Sequence, residues 1–239
     1  MTLDPTTLPN NLGLLEAIEK ATLRMVVQAV YDFGNEAKEI FAHEPDLAGD
    51  IGEDITREAL DRLGTSVIPI RLFGKIDYKR ARYFFHPDYS VRQALFVDSK
   101  AEEIAGARTA TIQTAQTSLK IRQRRSDKDI EESGTLPAVL QLQGNNYLVT
   151  TVFVKYNYRK LPQARSELES ISILCLPNGM LQEKYNPNAD DSIWLVGRNA
   201  PSRGERFRVR ISLNRLKKKA NWRVQYINLE LVASYSWED

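Results

Sequence analysis

Asp98 and Lys100 close the run Ala94-Leu95-Phe96-Val97-Asp98-Ser99-Lys100, an acid and a base that follow a wholly apolar lead-in. Side chains alternate across a strand, so these two project from one face. The lead-in is apolar on both faces, which is the mark of a central strand. A carboxylate at the tip of such a strand is costly to bury unless a cation or hydrogen bonds receive it. Upstream, Gly74-Lys75-Ile76-Asp77 opens a second strand-like run, and an antiparallel hairpin between the two runs can set Asp77 beside Asp98. Two carboxylates with one lysine suit metal-assisted phosphodiester hydrolysis. Carboxylate oxygens are the ligands magnesium prefers, and the ion keeps waters of its own. Such a water is made more acidic, and charge developing at phosphorus is neutralised. Lysine adds a compact positive charge beside the phosphate and orients or deprotonates the attacking water. Glu53 can supply a further carboxylate. The bare spacing is not specific, because Asp77-Tyr78-Lys79 and Glu36-Ala37-Lys38 also carry it, and a surface ion pair at a strand end remains the plainer reading. The buried lead-in separates Asp98 from those other matches.

Positioning these groups requires a sheet and something to cover it. Leu12 to Phe41 places Leu15, Ile18, Leu23, Val26, Val27, Val30 and Phe33 at helical spacing, which predicts one long or broken amphipathic helix. A second helix is expected from about Asp46 to Leu63, closed by Gly64. The period then changes. Ile68 to Phe85, Ala94 to Ser99, Val139 to Leu142, Tyr147 to Tyr158, Ile171 to Leu176, Phe207 to Leu213 and Arg223 to Val232 are rich in β-branched or aromatic residues and read as strands. Arg108 to Leu119 reads as helical or irregular, Asn214 to Lys219 as a short basic helix, and Arg122 to Gly134 as an exposed charged loop. With no repeat, low-complexity tract or linker, residues 1–239 are expected to form a single α+β domain around a mixed sheet.

Composition narrows the function classes. A chain of 239 residues buries enough apolar surface to fold without staples. One cysteine, Cys175, with only His43 and His86 beside it, excludes an internal disulfide and a Cys/His zinc site. Neither His lies in a recognisable hydrolase motif, and no Gly-x-Ser-x-Gly turn is present. No signal-like N-terminus and no apolar run near the ~20 residues of a membrane span is found, so a cytoplasmic protein without a membrane partner is expected. The net charge of +2 conceals two opposed regions: residues 1–62 carry thirteen acidic and five basic side chains, residues 198–223 ten basic and one acidic. That asymmetry suggests a polyanion-binding face on an acidic body. Within it Arg206, Arg208 and Arg210 alternate with Phe207, Val209 and Ile211, so one face packs inward and the other offers a row of guanidinium groups. Arg is the side chain best shaped to bridge guanine O6 and N7 in the major groove. Arg203, Arg215, Lys217, Lys218 and Lys219 look more like phosphate contacts, which position without specifying.

Longer segments carry a resemblance. LEAIEKATLRMVVQAV (15–30), AKEIF (37–41), EDITREAL (53–60), GKIDYKRARY (74–83), LFVDSKAE (95–102), KYNPNAD (184–190) and PSRGERFRVRISLNRLKK (201–218) resemble, in the same order, segments of the SfiI family of type II restriction endonucleases. More remotely, the chain is similar to the BglI family. The resemblance implies the PD-(D/E)xK restriction-endonuclease-like fold, a central mixed β-sheet flanked by helices, with Asp77, Asp98 and Lys100 on its catalytic positions, Asp77 and Asp98 as metal ligands, and Glu53 on an accessory acidic one. It further implies Mg2+ as cofactor, double-stranded DNA with a GC-rich interrupted palindrome as substrate, and Arg208 and Arg210, with Arg108 as a further candidate, in the base-reading region. The proline that often precedes the first aspartate is replaced by Ile76, and residues 101–134 diverge. Cutting both strands of a palindrome requires two sites related by the DNA dyad, so a homodimer is the minimal assembly; the resemblance adds a homotetramer as the larger possibility. A repair or recombination nuclease without sequence specificity, and a non-catalytic DNA-binding protein, are the rival readings.

Overall fold

The computed structural model describes residues 2–43, 51–62, 81–104, 108–125, 127–162, 165–195, 208–230 and 234–239. The N-terminal amphipathic stretch forms two helices, α1 (Leu12–Asp32) and α2 (Gly34–His43), with the break at Phe33. Asn11 caps α1, its side-chain oxygen accepting from Leu14 N at 3.0 Å. The third helix, α3, spans Ile51–Asp61. The expected helix boundaries before Ile51 and at Gly64 lie outside the described residues, as does most of the strand expected from Ile68.

The main sheet has the order β1 (Arg82–His86), β2 (Val91–Glu103), β7 (Asn145–Leu161), β8 (Arg165–Leu176) and β11 (Val224–Asn228), and β6 (Val139–Leu142) pairs with β7. β2 and β7 run parallel, and every other pair in this sheet is antiparallel, so the sheet is mixed as expected. Residues on one side, among them Leu95, Val152, Val154, Ile171 and Ile173, pack against α1, α2 and α3. On the other side Phe153, Leu174 and Val224 pack against a small second sheet, β3 (Thr109–Gln113), β10 (Arg208–Ser212) and β9 (Trp194–Leu195). The basic helix α4 (Leu213–Lys219) follows β10 directly, capped by the Ser212 hydroxyl.

Two stretches differ from expectation. Residues 122–125 and 128–133 are strand rather than loop. β4 (Lys120–Arg125) and β5 (Lys128–Ser133) form a hairpin in which Arg122 faces Glu131 at 2.9 Å and Arg124 faces Asp129 at 2.8 Å. Opposite charges directly across a ladder stabilise it, and Asp127 takes the left-handed conformation at the turn, with φ of 60°. Residues 109–113 are strand rather than helix: Ala110 and Ile112 are buried at period 2 and the strand is completed by pairing with β10.

Candidate active site

The end of β2 carries the first group of predicted residues. Arg82 pairs with Leu95 and His86 with Val91, so β1 and β2 make the antiparallel hairpin expected from the sequence. Ala94 and Phe96 are buried on the face that Asp98 and Lys100 share. Asp98 is 8% exposed, and its Oδ2 accepts no hydrogen bond among the described residues. The Lys100 ammonium stands 3.9 Å from that oxygen and donates to the Thr111 carbonyl of β3 at 3.2 Å. A buried carboxylate oxygen that accepts no hydrogen bond and meets Lys100 only at this distance suits a further cation, because burying a charge without close partners is expensive. Among the described residues no three His, Cys, Asp or Glu side chains cluster as a metal site. Asp77, the second carboxylate expected here, lies outside them.

The opposite face of β2 explains how the pair is held. Ser99, between Asp98 and Lys100, donates to Thr56 of α3 at 2.7 Å, and the Thr56 hydroxyl is 2.8 Å from the Tyr156 hydroxyl of β7. At Gly52 a Cβ would stand 3.3 Å from the carbonyl carbon of Lys100, the amide of Ala101 and the Tyr156 ring. Glycine therefore lets the start of α3 lie directly on β2. Glu53, the next residue, is exposed at the same end of α3. Its neighbour Gly52 lies against Lys100 and Ala101 of β2.

Sequence reasoning missed two charged groups in this region. Glu102 continues the Asp98, Lys100 series on β2, and Lys155 stands beside Lys100 in the parallel register with β7. Lys155 is 1% exposed, pairs with Glu102 at 2.7 Å and donates to the Thr109 carbonyl at 2.6 Å. Burial pulls its pKa below the usual lysine value, Glu102 opposes that, and the charges of Lys100 and Arg210 add to the lowering. A single lysine inside the apolar run Val152-Phe153-Val154-Lys155-Tyr156 was the available signal.

The basic face is only partly free. Val209 and Ile211 are buried and Arg210 is exposed, which is the alternation expected for β10. Arg210 pairs with Thr111, so it sits across β3 from the carbonyl that holds Lys100. Only the backbone of Arg208 is described, and Arg203 and Arg206 lie outside the described residues. Arg108 is exposed before β3, at the end away from Arg208, and its charge acts on Tyr226 of β11. In α4 much of the charge is used internally. Arg215 donates to the carbonyls of Ser192 and Trp194 at 3.1 and 2.9 Å, Lys217 pairs with Glu238, and Lys219 pairs with Asp191 at 2.6 Å. Lys218 is exposed and makes no ion pair among the described residues.

A family model described as type II restriction enzyme SfiI matches residues 20–227. The chain is 34% identical over 244 residues to the type II restriction enzyme SfiI of Streptomyces fimbriatus, covering 96% of this chain and 91% of that protein. Among solved structures it is similar to tetrameric restriction endonuclease SfiI bound to cognate DNA, with a TM-score of 0.86 and 34% identity over 100% of this chain and 94% of that one. It is also similar in fold to restriction endonuclease BglI bound to its DNA recognition sequence, with a TM-score of 0.71 and 18% identity over 94% of each chain. The expected restriction-endonuclease-like α+β fold is therefore borne out.

Proposed function

Because the chain belongs to the SfiI family of type II restriction enzymes, we propose that the end of β2 is where it hydrolyses DNA. The protein is a type II site-specific deoxyribonuclease. That sets aside the two rival readings, a nuclease without sequence specificity and a non-catalytic DNA-binding protein. The observation that carries the assignment of the site is the buried Asp98 Oδ2, without a hydrogen bond among the described residues and 3.9 Å from the Lys100 ammonium.

Asp98 and Asp77 are the proposed magnesium ligands, with Glu53 as an accessory carboxylate. β1 begins shortly after Asp77 and runs antiparallel to β2, the direction a hairpin needs to bring the two aspartates together. A magnesium ion bound there supplies charge neutralisation at the phosphate and a more acidic water. Lys100 holds its positive charge beside the scissile phosphate and orients or accepts a proton from the attacking water. Arg206, Arg208 and Arg210 are proposed to read bases, with Arg108 a lesser candidate, and Lys218 and Arg203 to contact phosphates; Arg215, Lys217 and Lys219 contribute less because their charges are already engaged. A GC-rich interrupted palindrome suits a row of arginines.

Residues 1–239 are proposed to form one endonuclease domain, since both core layers share one sheet. A homodimer is the minimal assembly for cutting both strands, and the solved SfiI complex is tetrameric and bound to cognate DNA, which supports a pair of dimers here. No helix among the described residues is long and apolar enough to cross a membrane; with a free buried cysteine and a DNA substrate, we place the enzyme in the cytoplasm.

The test is incubation of purified protein with magnesium and a fully sequenced plasmid, followed by mapping of the ends. Cleavage at one recurrent sequence is expected, and no cleavage or scattered ends would overturn the reading. Comparing one-site with two-site plasmids then separates the assemblies: equal rates with a dimeric mass exclude the tetramer.

A further inference from the structure

Lys100 and Lys155 stand side by side on parallel strands, and both reach across to the same short strand of the second sheet. Lys100 donates to the Thr111 carbonyl at 3.2 Å and Lys155 to the Thr109 carbonyl at 2.6 Å. Thr109 and Thr111 lie on β3, whose partner β10 carries Arg210 opposite Thr111. Lys155 is 1% exposed, too deep to touch a phosphate, and Glu102, from the strand that bears Asp98 and Lys100, pairs with it at 2.7 Å. The small sheet with Arg210 and the large sheet with Lys100 are thus joined by two charge-assisted lysine-to-carbonyl hydrogen bonds, the shorter one from the buried Lys155 side chain.

We propose that Lys155 is a positioning residue that couples base reading to cleavage: by fixing Thr109 to the main sheet it keeps the Thr111 carbonyl within reach of Lys100, so that a base pair gripped by Arg210 sets the placement of the Lys100 ammonium. The inference rests on the assignment of Lys100 and Arg210 made above. A correct base pair draws Arg210 into register and β3 moves with it, since strands in a ladder shift together. The tether at Lys155 converts that shift into a defined position for Lys100; without it, β3 can adjust to DNA while Lys100 stays where the main sheet leaves it. Glu102 keeps the Lys155 charge compensated and the ammonium pointed at Thr109.

The experiment uses Lys155→Met in the full chain, which removes the donor and keeps an unbranched apolar side chain. Two quantities are read against the wild type. In the protein without DNA, amide hydrogen exchange at Thr109–Gln113 should quicken about tenfold while β8 and β11 are unchanged, as expected for a locally released strand. In single-turnover cleavage with magnesium, a duplex carrying the mapped site is compared with the same duplex altered at one base pair, and the ratio of the two rates should fall about tenfold, a usual size for coupling between sites. A merely structural role would lower both rates alike. Unchanged exchange at β3, or an unchanged ratio, overturns the proposal whatever happens to the absolute rate. If Lys155→Met does not fold, Glu102→Gln decides by the same two measurements, since it loosens Lys155 from the more exposed side. A wild-type enzyme that cuts at no fixed sequence defeats the site assignment itself and this inference with it, whereas a specific wild type with an unchanged ratio in the variant defeats the inference alone.

Discussion

Ser99 donates a 2.7 Å hydrogen bond to Thr56, and that contact ties β2 to α3 on the face opposite Asp98 and Lys100. Thr56, Ser99 and Tyr156 are all buried, and Thr56 shares its hydroxyl between the other two. Burial also pushes the Tyr156 pKa up, so the phenol stays protonated as a partner.

Thr56→Val should therefore destabilise the protein by about 1–3 kcal/mol, because two buried hydroxyls lose a partner at once. Denaturant titration measures this directly. Cleavage should fall more than the loss of folded protein accounts for, since Asp98 and Lys100 flank the loosened residue. A variant as stable and active as the wild type would show that the network does not hold the site.

Asp98→Asn and Lys100→Ala should abolish cleavage while specific DNA binding stays within roughly tenfold, because these groups serve hydrolysis more than groove recognition. Asp77→Asn should behave likewise. Binding is measured with calcium in place of magnesium and cleavage with magnesium. Near-normal magnesium-dependent cleavage by either the Asp98 or the Lys100 variant would refute the assignment.

Arg210→Ala should lose discrimination at particular base pairs, at about 1–3 kcal/mol for a bidentate contact, and Arg208→Ala should do the same. Lys218→Ala should weaken binding to every sequence alike and flatten its salt dependence. Lys217→Ala should change DNA binding less than Lys218→Ala, because Lys217 is held by Glu238 and lies over the Tyr226 ring. Competition binding at several salt concentrations separates the classes, and the same sequence-independent loss in Arg210→Ala and Lys218→Ala would remove the distinction.

What could be read in the sequence was local. The continuous apolar run before Asp98 marked a central strand, and the alternation around Arg210 told inward from outward faces correctly, because period-2 burial is written residue by residue. β3 was not legible, since Ala110 and Ile112 are its only apolar residues and its strand character comes from pairing with β10. The β4–β5 hairpin was hidden by its charges, which mark a solvated loop by composition and a ladder only once Arg122 is seen opposite Glu131. Nor does a sequence show that β2 and β7 are neighbours, which is what brings Lys155 to Lys100 and Glu102. The engagement of Arg215 and Lys217 by distant partners was invisible for the same reason.

His86 gives a pH dependence that can be assigned to one side chain. It is 1% exposed, its ring lies 6.1 Å from that of Phe84 and 5.2 Å from that of Tyr89, and neither ring nitrogen has a hydrogen-bond partner among the described residues. Burial lowers its pKa from the ordinary value of 6.5, with Asp88 pulling the other way. As pH falls through that ordinary value the unfolded chain takes up the proton first, so the unfolded state binds more protons and stability declines. The contribution is fully present above pH 6.5 and is lost below it, down to the depressed folded value, at a slope of no more than about 1.4 kcal/mol per pH unit. Denaturant titrations between about pH 7.5 and 5.5 should show this decline in the wild type and a shallower one in His86→Phe, which keeps the aromatic contacts and removes the titrating nitrogens. Identical slopes in the two proteins would place the pH dependence elsewhere.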